Sequence, residues 1–370
     1  MDKPLLRWGI LGCANIARKN WKAIWHSGNG RVSAVASRDL QRARRFVEEC
    51  QAQAPFQPAP RAVGSYEELL AAEDVDAVYV PLPTGIRGPW VKRAAEAAKH
   101  VVSEKPCATS VTELVEILET CRRQRVQFMD GVMFMHSGRL QRIREVLDDG
   151  QTVGAIRRIT SAFSFRGSED FFVSNIRTRH DLEPYGCLGD LGWYCIRFTL
   201  WAMNWKLPQR VTGQLLSHAP QPSAHPPVPT EASGELFFEG GVSGGFYCSF
   251  LTESEQWVNV GGTAGSLRVP DFVLPFAGSE LAFETDNPGR DRDLGLHPNT
   301  RRWVVKERSH NDPTAQESRM FHNFAEHIRS GKLNPLWPEM ALKTQQVLQA
   351  CHASALDEGR PVRLDLAPNA

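Results

Sequence analysis

Four short apolar runs, at 5–11, 32–36, 75–80 and 101–103, constrain this chain more tightly than any other feature of its sequence. Each suits a buried strand better than a helix, and each is followed by small or polar residues. Segments with helical spacing, at 18–25, 40–50, 66–71 and 90–99, separate them. Strands alternating with helices predict a parallel, doubly wound α/β sheet. Open sheets of this kind bind ligands beyond the carboxyl ends of their strands, so the four turns after the runs form the candidate site.

The first turn, Gly12-Cys13-Ala14-Asn15-Ile16, joins strand to helix where backbone amides and a helix N-terminus can meet a pyrophosphate. Ala14 and Ala17 stand where the dinucleotide fingerprint often has glycines, so the match is degenerate and its strand–turn–helix context carries it. The second turn, Ser37-Arg38-Asp39, falls where such folds read the adenosine ribose. A hydroxyl and a guanidinium suit a 2′-phosphate and favour NADP, whereas Asp39, shifted by one position, would restore the acid that bonds the free hydroxyl of NAD. These residues can equally serve to cap the helix at 40–50. The third turn is Pro81-Leu82-Pro83-Thr84. The fourth is Glu104-Lys105-Pro106, where the proline holds Lys105 extended at a strand end. An isolated Glu-Lys-Pro is more often a surface pair in a loop. Four strand ends that agree point to a dinucleotide site.

A helix at 112–125, a mixed strand at 127–134 and a helix at 137–147 follow, and after Gly150 the pattern changes. Period-two alternation at 156–165, 234–238, 241–250, 257–260 and 266–269 predicts a large antiparallel sheet with one face covered. Its other face suits self-association. Among these strands lies Gly186-Cys187-Leu188-Gly189-Asp190-Leu191-Gly192-Trp193-Tyr194. A helix from Asp190 puts Asp190 and Tyr194 one turn apart on one face. The plainer alternative is an aspartate that complements the helix dipole above a half-buried aromatic ring. In the loop at 165–181, Arg166, Arg177, Arg179 and His180 suit hydroxyls or a carboxylate, although loop arginines are often only solvated. Helices at 317–330 and 338–356 and an extended end at 361–364 complete the chain.

A formal net charge of +1 gives no electrostatic basis for binding nucleic acid or an anionic membrane. No apolar stretch is long enough to span a bilayer, and the opening residues do not read as a signal peptide. Eight scattered cysteines without a CxxC pair predict reduced thiols and a cytoplasmic protein. No two histidines have metal-ligand spacing, so no metal is expected. Pro/Ala-rich stretches at 52–60 and 219–229 read as loops.

Taken together, Gly9-Ile10-Leu11-Gly12-Cys13-Ala14-Asn15-Ile16-Ala17, Tyr66-Glu67-Glu68-Leu69-Leu70, the runs at 79–84 and 99–106, and the run at 186–194 resemble the Gfo/Idh/MocA oxidoreductases. Gly261-Gly262-Thr263-Ala264-Gly265-Ser266-Leu267 echoes the same family, and the resemblance covers nearly the whole chain. It implies a Rossmann domain, set here at 1–126, and an α+β substrate and oligomerisation domain at 127–370, whose last helices are candidates for packing back on the first domain. It also implies NADP or NAD as cofactor, a sugar, polyol or related cyclic alcohol as substrate, and a homodimer or homotetramer formed through the C-terminal sheet. On the same ground Lys105, Asp190 and Tyr194 are expected to be catalytic. Tyr194 takes the place of a common histidine, as in the glucose–fructose oxidoreductase and dimeric dihydrodiol dehydrogenase branches. Arg177 and Arg87 match positions near the cofactor, the latter where the family often has histidine. Hydride transfer at a carbinol carbon needs a proton moved at its oxygen, and a phenol beside an ammonium can serve. A cofactor-binding regulator without turnover and an NAD-dependent glycoside hydrolase remain the alternatives.

Overall fold

The computed structural model describes residues 4–220, 226–290 and 296–364. Two compact units make up the chain: Met1–Ser137 with His310–Leu342, and Gly138–Ser309 with Lys343–Ala370.

The first unit contains β1 (Leu6–Leu11), α1 (Asn15–Ser27), β2 (Gly30–Ala36), α2 (Leu40–Gln51), β3 (Arg61–Val63), α3 (Tyr66–Leu70), β4 (Ala77–Val80), α4 (Thr84–Glu96), β5 (His100–Ser103), α5 (Val111–Arg123) and β6 (Phe128–Asp130). The strands form one parallel sheet in the order β3-β2-β1-β4-β5-β6, the doubly wound arrangement. Its central strands read as continuous apolar runs because both faces are covered, and all of β4 is buried. β6 pairs with β5, so residues 128–130 lie in this unit rather than beyond a boundary at 126.

Two elements depart from the sequence pattern. α4 starts at Thr84 instead of near 90 and carries Pro89 inside it. Within the helix that proline forgoes a main-chain hydrogen bond. The strand expected at 127–134 stops at Asp130, where Gly131 N donates to Ser103 O at 2.8 Å and the chain enters a 3-10 turn at Met133–His136.

The first unit is completed from the far end of the chain. Helix α9 (Gln316–Arg329) sets Phe321 and Phe324 against the fully buried Trp8 of β1, with ring centroids 5.2 and 5.3 Å away. Asn29 Nδ2 donates to His322 O at 3.0 Å, and Lys19 pairs with Glu317 at 2.5 Å.

The second unit holds α6 (Gly138–Asp148), β7 (Ile156–Ser164), α7 (Glu169–Ser174), a π-helix (Leu188–Gly192) continuous with α8 (Trp193–Ala202), β8 (Arg210–Ala219), β9 (Val228–Phe237), β10 (Ser243–Ser249), β11 (Glu255–Gly262), β12 (Ser266–Val269), β13 (Leu281–Asp286), the two-residue strands β14 (Gly289–Arg290) and β15 (Leu296–His297), β16 (Thr300–Val305) and β17 (Val362–Arg363). Helix α10 (Leu336–Leu356) contributes its residues from Lys343 onward. Nine strands form a sheet in the order β16-β13-β12-β11-β7-β10-β9-β8-β17, antiparallel except for β7 with β10. One face buries Ile159, Phe163, Phe246 and Cys248, while Gly213 and Gly244 admit Cys351 of α10 and Thr199 of α8 closely. The other face presents Ala162, Gln214, Tyr247 and Trp257, in register across β7, β8, β10 and β11. Residues 221–225 of the Pro/Ala-rich stretch at 219–229 lie outside the described residues.

Because Phe321 is fully buried and touches both Trp8 and Tyr79, we expect Phe321→Ala to cost about 3–5 kcal/mol of stability. Urea unfolding of the two proteins measures it, and a loss below about 1 kcal/mol would show that α9 is dispensable to this core.

Candidate active site

Gly12 takes φ +110°, a left-handed value that favours glycine, and a Cβ there would meet Leu82 Cδ2 at 3.0 Å. The turn is pinned by Gly12 N donating to Ala36 O at 2.9 Å. α1 follows with Ala14 at its N-cap and no side-chain cap, so the first amides, next to Cys13, Asn15 and Ile16, have no side chain bonded across them. Burial pushes the Cys13 thiol up. This cradle fits a pyrophosphate.

At the end of β2, Asp39 N donates to Ser37 Oγ at 3.2 Å. The Asp39 carboxylate accepts from Gln41 N and Arg42 N, at 2.9 and 3.3 Å, as the N-cap of α2. The acid that would restore an NAD reading is therefore engaged in capping. Two residues the sequence did not single out for this site join the turn. Arg42 Nη2 donates to Cys13 O at 3.2 Å, and the Tyr66 phenol, pushed up by burial, feels the opposing pull of Arg38 and Arg42. Arg42 was legible as the residue one helical turn after Arg38. Nothing in the sequence around Tyr66 linked it to this turn.

Pro83 is the N-cap of α4, Leu82 and Thr84 are buried, and Thr84 Oγ1 lies 3.5 Å from Pro106 O. Arg87, expected near the cofactor, directs its guanidinium to main-chain carbonyls: Leu82 at 2.7 Å, Glu104 at 2.6 Å, and Pro106. Glu104 accepts from the Tyr79 hydroxyl at 2.5 Å, and Tyr79 accepts from Asn20 Nδ2 at 2.7 Å. Burial and the Glu104 charge push the Tyr79 phenol far up, so it stays a donor. Lys105 follows directly, with a cis peptide bond to Pro106.

In the second unit the sequence predicted an α-helix from Asp190. Asp190 lies instead within the π-helix, which hands over to α8 at Trp193, and π-turns are frequent at functional sites. Gly192 permits it, since a Cβ there would meet Leu188 at 3.0 Å and the Cys248 sulfur at 3.4 Å. Arg177 Nε donates to Asp190 Oδ2 at 2.7 Å, and the Asp190 charge raises the Arg177 guanidinium. Tyr194 is close enough for its charge to act on Arg177 as well. The Tyr194 ring is 7 % exposed and packs edge-on against Phe163 at 5.5 Å. Asp190, Arg177 and Tyr194 thus form one cluster. The other two arginines of the loop at 165–181 are used differently: Arg179 pairs with Asp181 at 2.7 Å and Arg166 faces Glu253 at 3.8 Å. Among the described residues no group of three His, Cys, Asp or Glu could hold a metal ion, and no helix is long and apolar enough to cross a membrane.

Comparison with known proteins agrees with this layout. Residues 6–132 match an oxidoreductase family with an NAD-binding Rossmann fold, and residues 140–268 match the GFO/IDH/MocA C-terminal domain. The chain is 31 % identical, over 97 % of its length and 100 % of the relative's, to a D-xylose 1-dehydrogenase (NADP(+)) of Haloferax volcanii. It is 33 % identical, over 80 % of its length and 83 % of the relative's, to a dTDP-3,4-didehydro-2,6-dideoxy-alpha-D-glucose 3-reductase of Saccharopolyspora spinosa. A 3-ketoreductase of Actinomadura kijaniata, solved with NADP and TDP-benzene, superposes with a TM-score of 0.79 at 25 % identity, over 95 % of this chain and 98 % of that one. With both halves matched in order and a full-length relative at 31 % identity, the chain belongs to the Gfo/Idh/MocA family of oxidoreductases.

Proposed function

We propose that this protein transfers hydride between NADP(H) and the carbinol or carbonyl carbon of a sugar, polyol or related cyclic alcohol. The Asp190–Arg177 pair with Tyr194 beside it carries this reading, because it supplies a proton-moving group within a fixed charge environment. Bound nicotinamide supplies or accepts the hydride; the side chains manage the oxygen. Lys105 donates to the reacting oxygen and stabilises its developing negative charge. Tyr194 takes the hydroxyl proton in oxidation and returns it in reduction. The Arg177 cation holds Asp190 in place and lies close enough to Tyr194 to interact with its charge. The sugar-directed names of the relatives support the substrate class.

On the cofactor side, Ser37, Arg38, Arg42 and Tyr66 favour the 2′-phosphate of NADP. A second copy of the chain is the proposed occupant of the sheet face bearing Tyr247 and Trp257, which gives a dimer. The eight cysteines are all free of disulfides, with the Cys248 thiol donating to the Cys187 sulfur at 3.9 Å, which supports a cytoplasmic location.

Fluorescence titration should give tighter binding of NADPH than of NADH, and Arg38→Ala or Arg42→Ala should weaken NADPH alone by roughly tenfold or more, as expected for a lost charge-assisted hydrogen bond. Equal affinities for the two cofactors would sink the NADP assignment. On a panel of D-xylose, D-glucose, myo-inositol and cyclohexane-1,2-diol with NADP, Tyr194→Phe should lower kcat about 10²- to 10⁴-fold without changing NADPH affinity. Near-normal turnover in that variant would remove the acid/base role from Tyr194. Sedimentation equilibrium should report twice the chain mass, and Trp257→Arg should halve it; a monomeric wild type would refute the dimer.

A further inference from the structure

Lys105 is flanked by atoms that are held in place. The Glu104 amide donates to Val80 O at 3.2 Å, and the Glu104 carboxylate accepts from the Tyr79 hydroxyl at 2.5 Å. The carbonyls on either side of the lysine residue, of Glu104 and Pro106, both accept from Nη1 of Arg87. Nε of the same guanidinium donates to Leu82 O at 2.7 Å, in the turn after the neighbouring strand. Arg87 is only 2 % exposed. One rigid planar group therefore ties two adjacent strand-end turns together through three main-chain carbonyls. A lysine ammonium, a point charge on a flexible stem, cannot reproduce that fork.

We infer that Arg87 is a positioning residue for Lys105: it fixes the main chain on both sides of the lysine and so sets where the ammonium meets the reacting oxygen. This rests on the role proposed for Lys105 above. A guanidinium that merely filled the interior would alter stability without regard to Lys105. A positioning group acts through that one side chain, so its removal is felt only while Lys105 is present.

The test is a double-mutant cycle, run with NADP and the panel alcohol that turns over fastest. Arg87→Lys should lower kcat about 10- to 100-fold, the scale of a misplacement near 1 Å, while KM and NADPH affinity stay within about threefold. In a Lys105→Met background the same substitution should change kcat by less than about twofold. An equal loss in both backgrounds overturns the inference and makes Arg87 a general structural residue. Undiminished kcat in Lys105→Met alone overturns the role of Lys105 itself, and that failure is recognisable before position 87 is altered. If Arg87→Lys does not fold, Arg87→Gln is read by NMR after reductive ¹³C-methylation of the lysines, with NADPH bound. The Lys105 signal, identified by its loss in Lys105→Arg, should then shift; an unmoved signal overturns the inference.

Discussion

Trp8 is the side chain on which the first unit closes. It lies in β1 at the centre of the six-stranded sheet, fully buried, and meets the rings of Phe321 and Phe324 of α9. The dinucleotide unit is thus contiguous in space and not in sequence. Its central strand is sealed by residues more than three hundred positions later, after the chain has built the second unit. Phe321 also meets Tyr79 edge-on at 5.8 Å. The aromatic core therefore continues into the polar chain Asn20–Tyr79–Glu104, which ends beside Lys105.

A buried polar chain is costly unless every member is satisfied, and this one is ordered from end to end. Asn20 donates to Tyr79 and Tyr79 donates to Glu104, with proton positions fixed because the Tyr79 phenol is held far above its ordinary range. Arg87 does from the other side what Tyr79 does from below, acting on the main chain where Tyr79 acts on the carboxylate. The two constraints differ in kind from those on Asp190. There the backbone is a π-turn against Cys248, and one partner of the carboxylate is the Arg177 guanidinium on a short 3-10 turn.

What the sequence made legible follows from how strongly burial writes a pattern. The strands of the parallel sheet are covered on both sides, so they stand out as apolar runs, and the turns after them followed from topology alone. β8, β13 and β16 escaped notice for the opposite reason. β16 is mostly exposed, and β8 is broken by Gly213, which is there because Cys351 O would lie 2.0 Å from a Cβ. Lys105, Asp190 and Tyr194 were named through their motifs. The pairing of Arg177 with Asp190 could not be read, since thirteen residues and two turns separate them and no periodicity links a loop arginine to a π-turn. Arg87 stood out as a residue but its bonds to three carbonyls did not, because main-chain acceptors leave no charged partner for the sequence to show.

Those pairings also revise what the loop arginines imply about substrate. Four basic residues at 166–180 suggest an anion when counted as a group. Two of them already face carboxylates, Arg179 with Asp181 and Arg166 with Glu253, on the exposed side of the loop. Arg177 is neutralised by Asp190 and held by a hydrogen bond of 2.7 Å. A substrate carboxylate at this pair would compete with Asp190 for Arg177, a costly exchange for a partly buried pair. Hydroxyl groups suffer no such conflict, since each can donate to Asp190 and accept from Arg177 at once. Three of the four basic side chains thus already have a carboxylate partner, so the anion suggested by the loop's composition does not follow from its arginines.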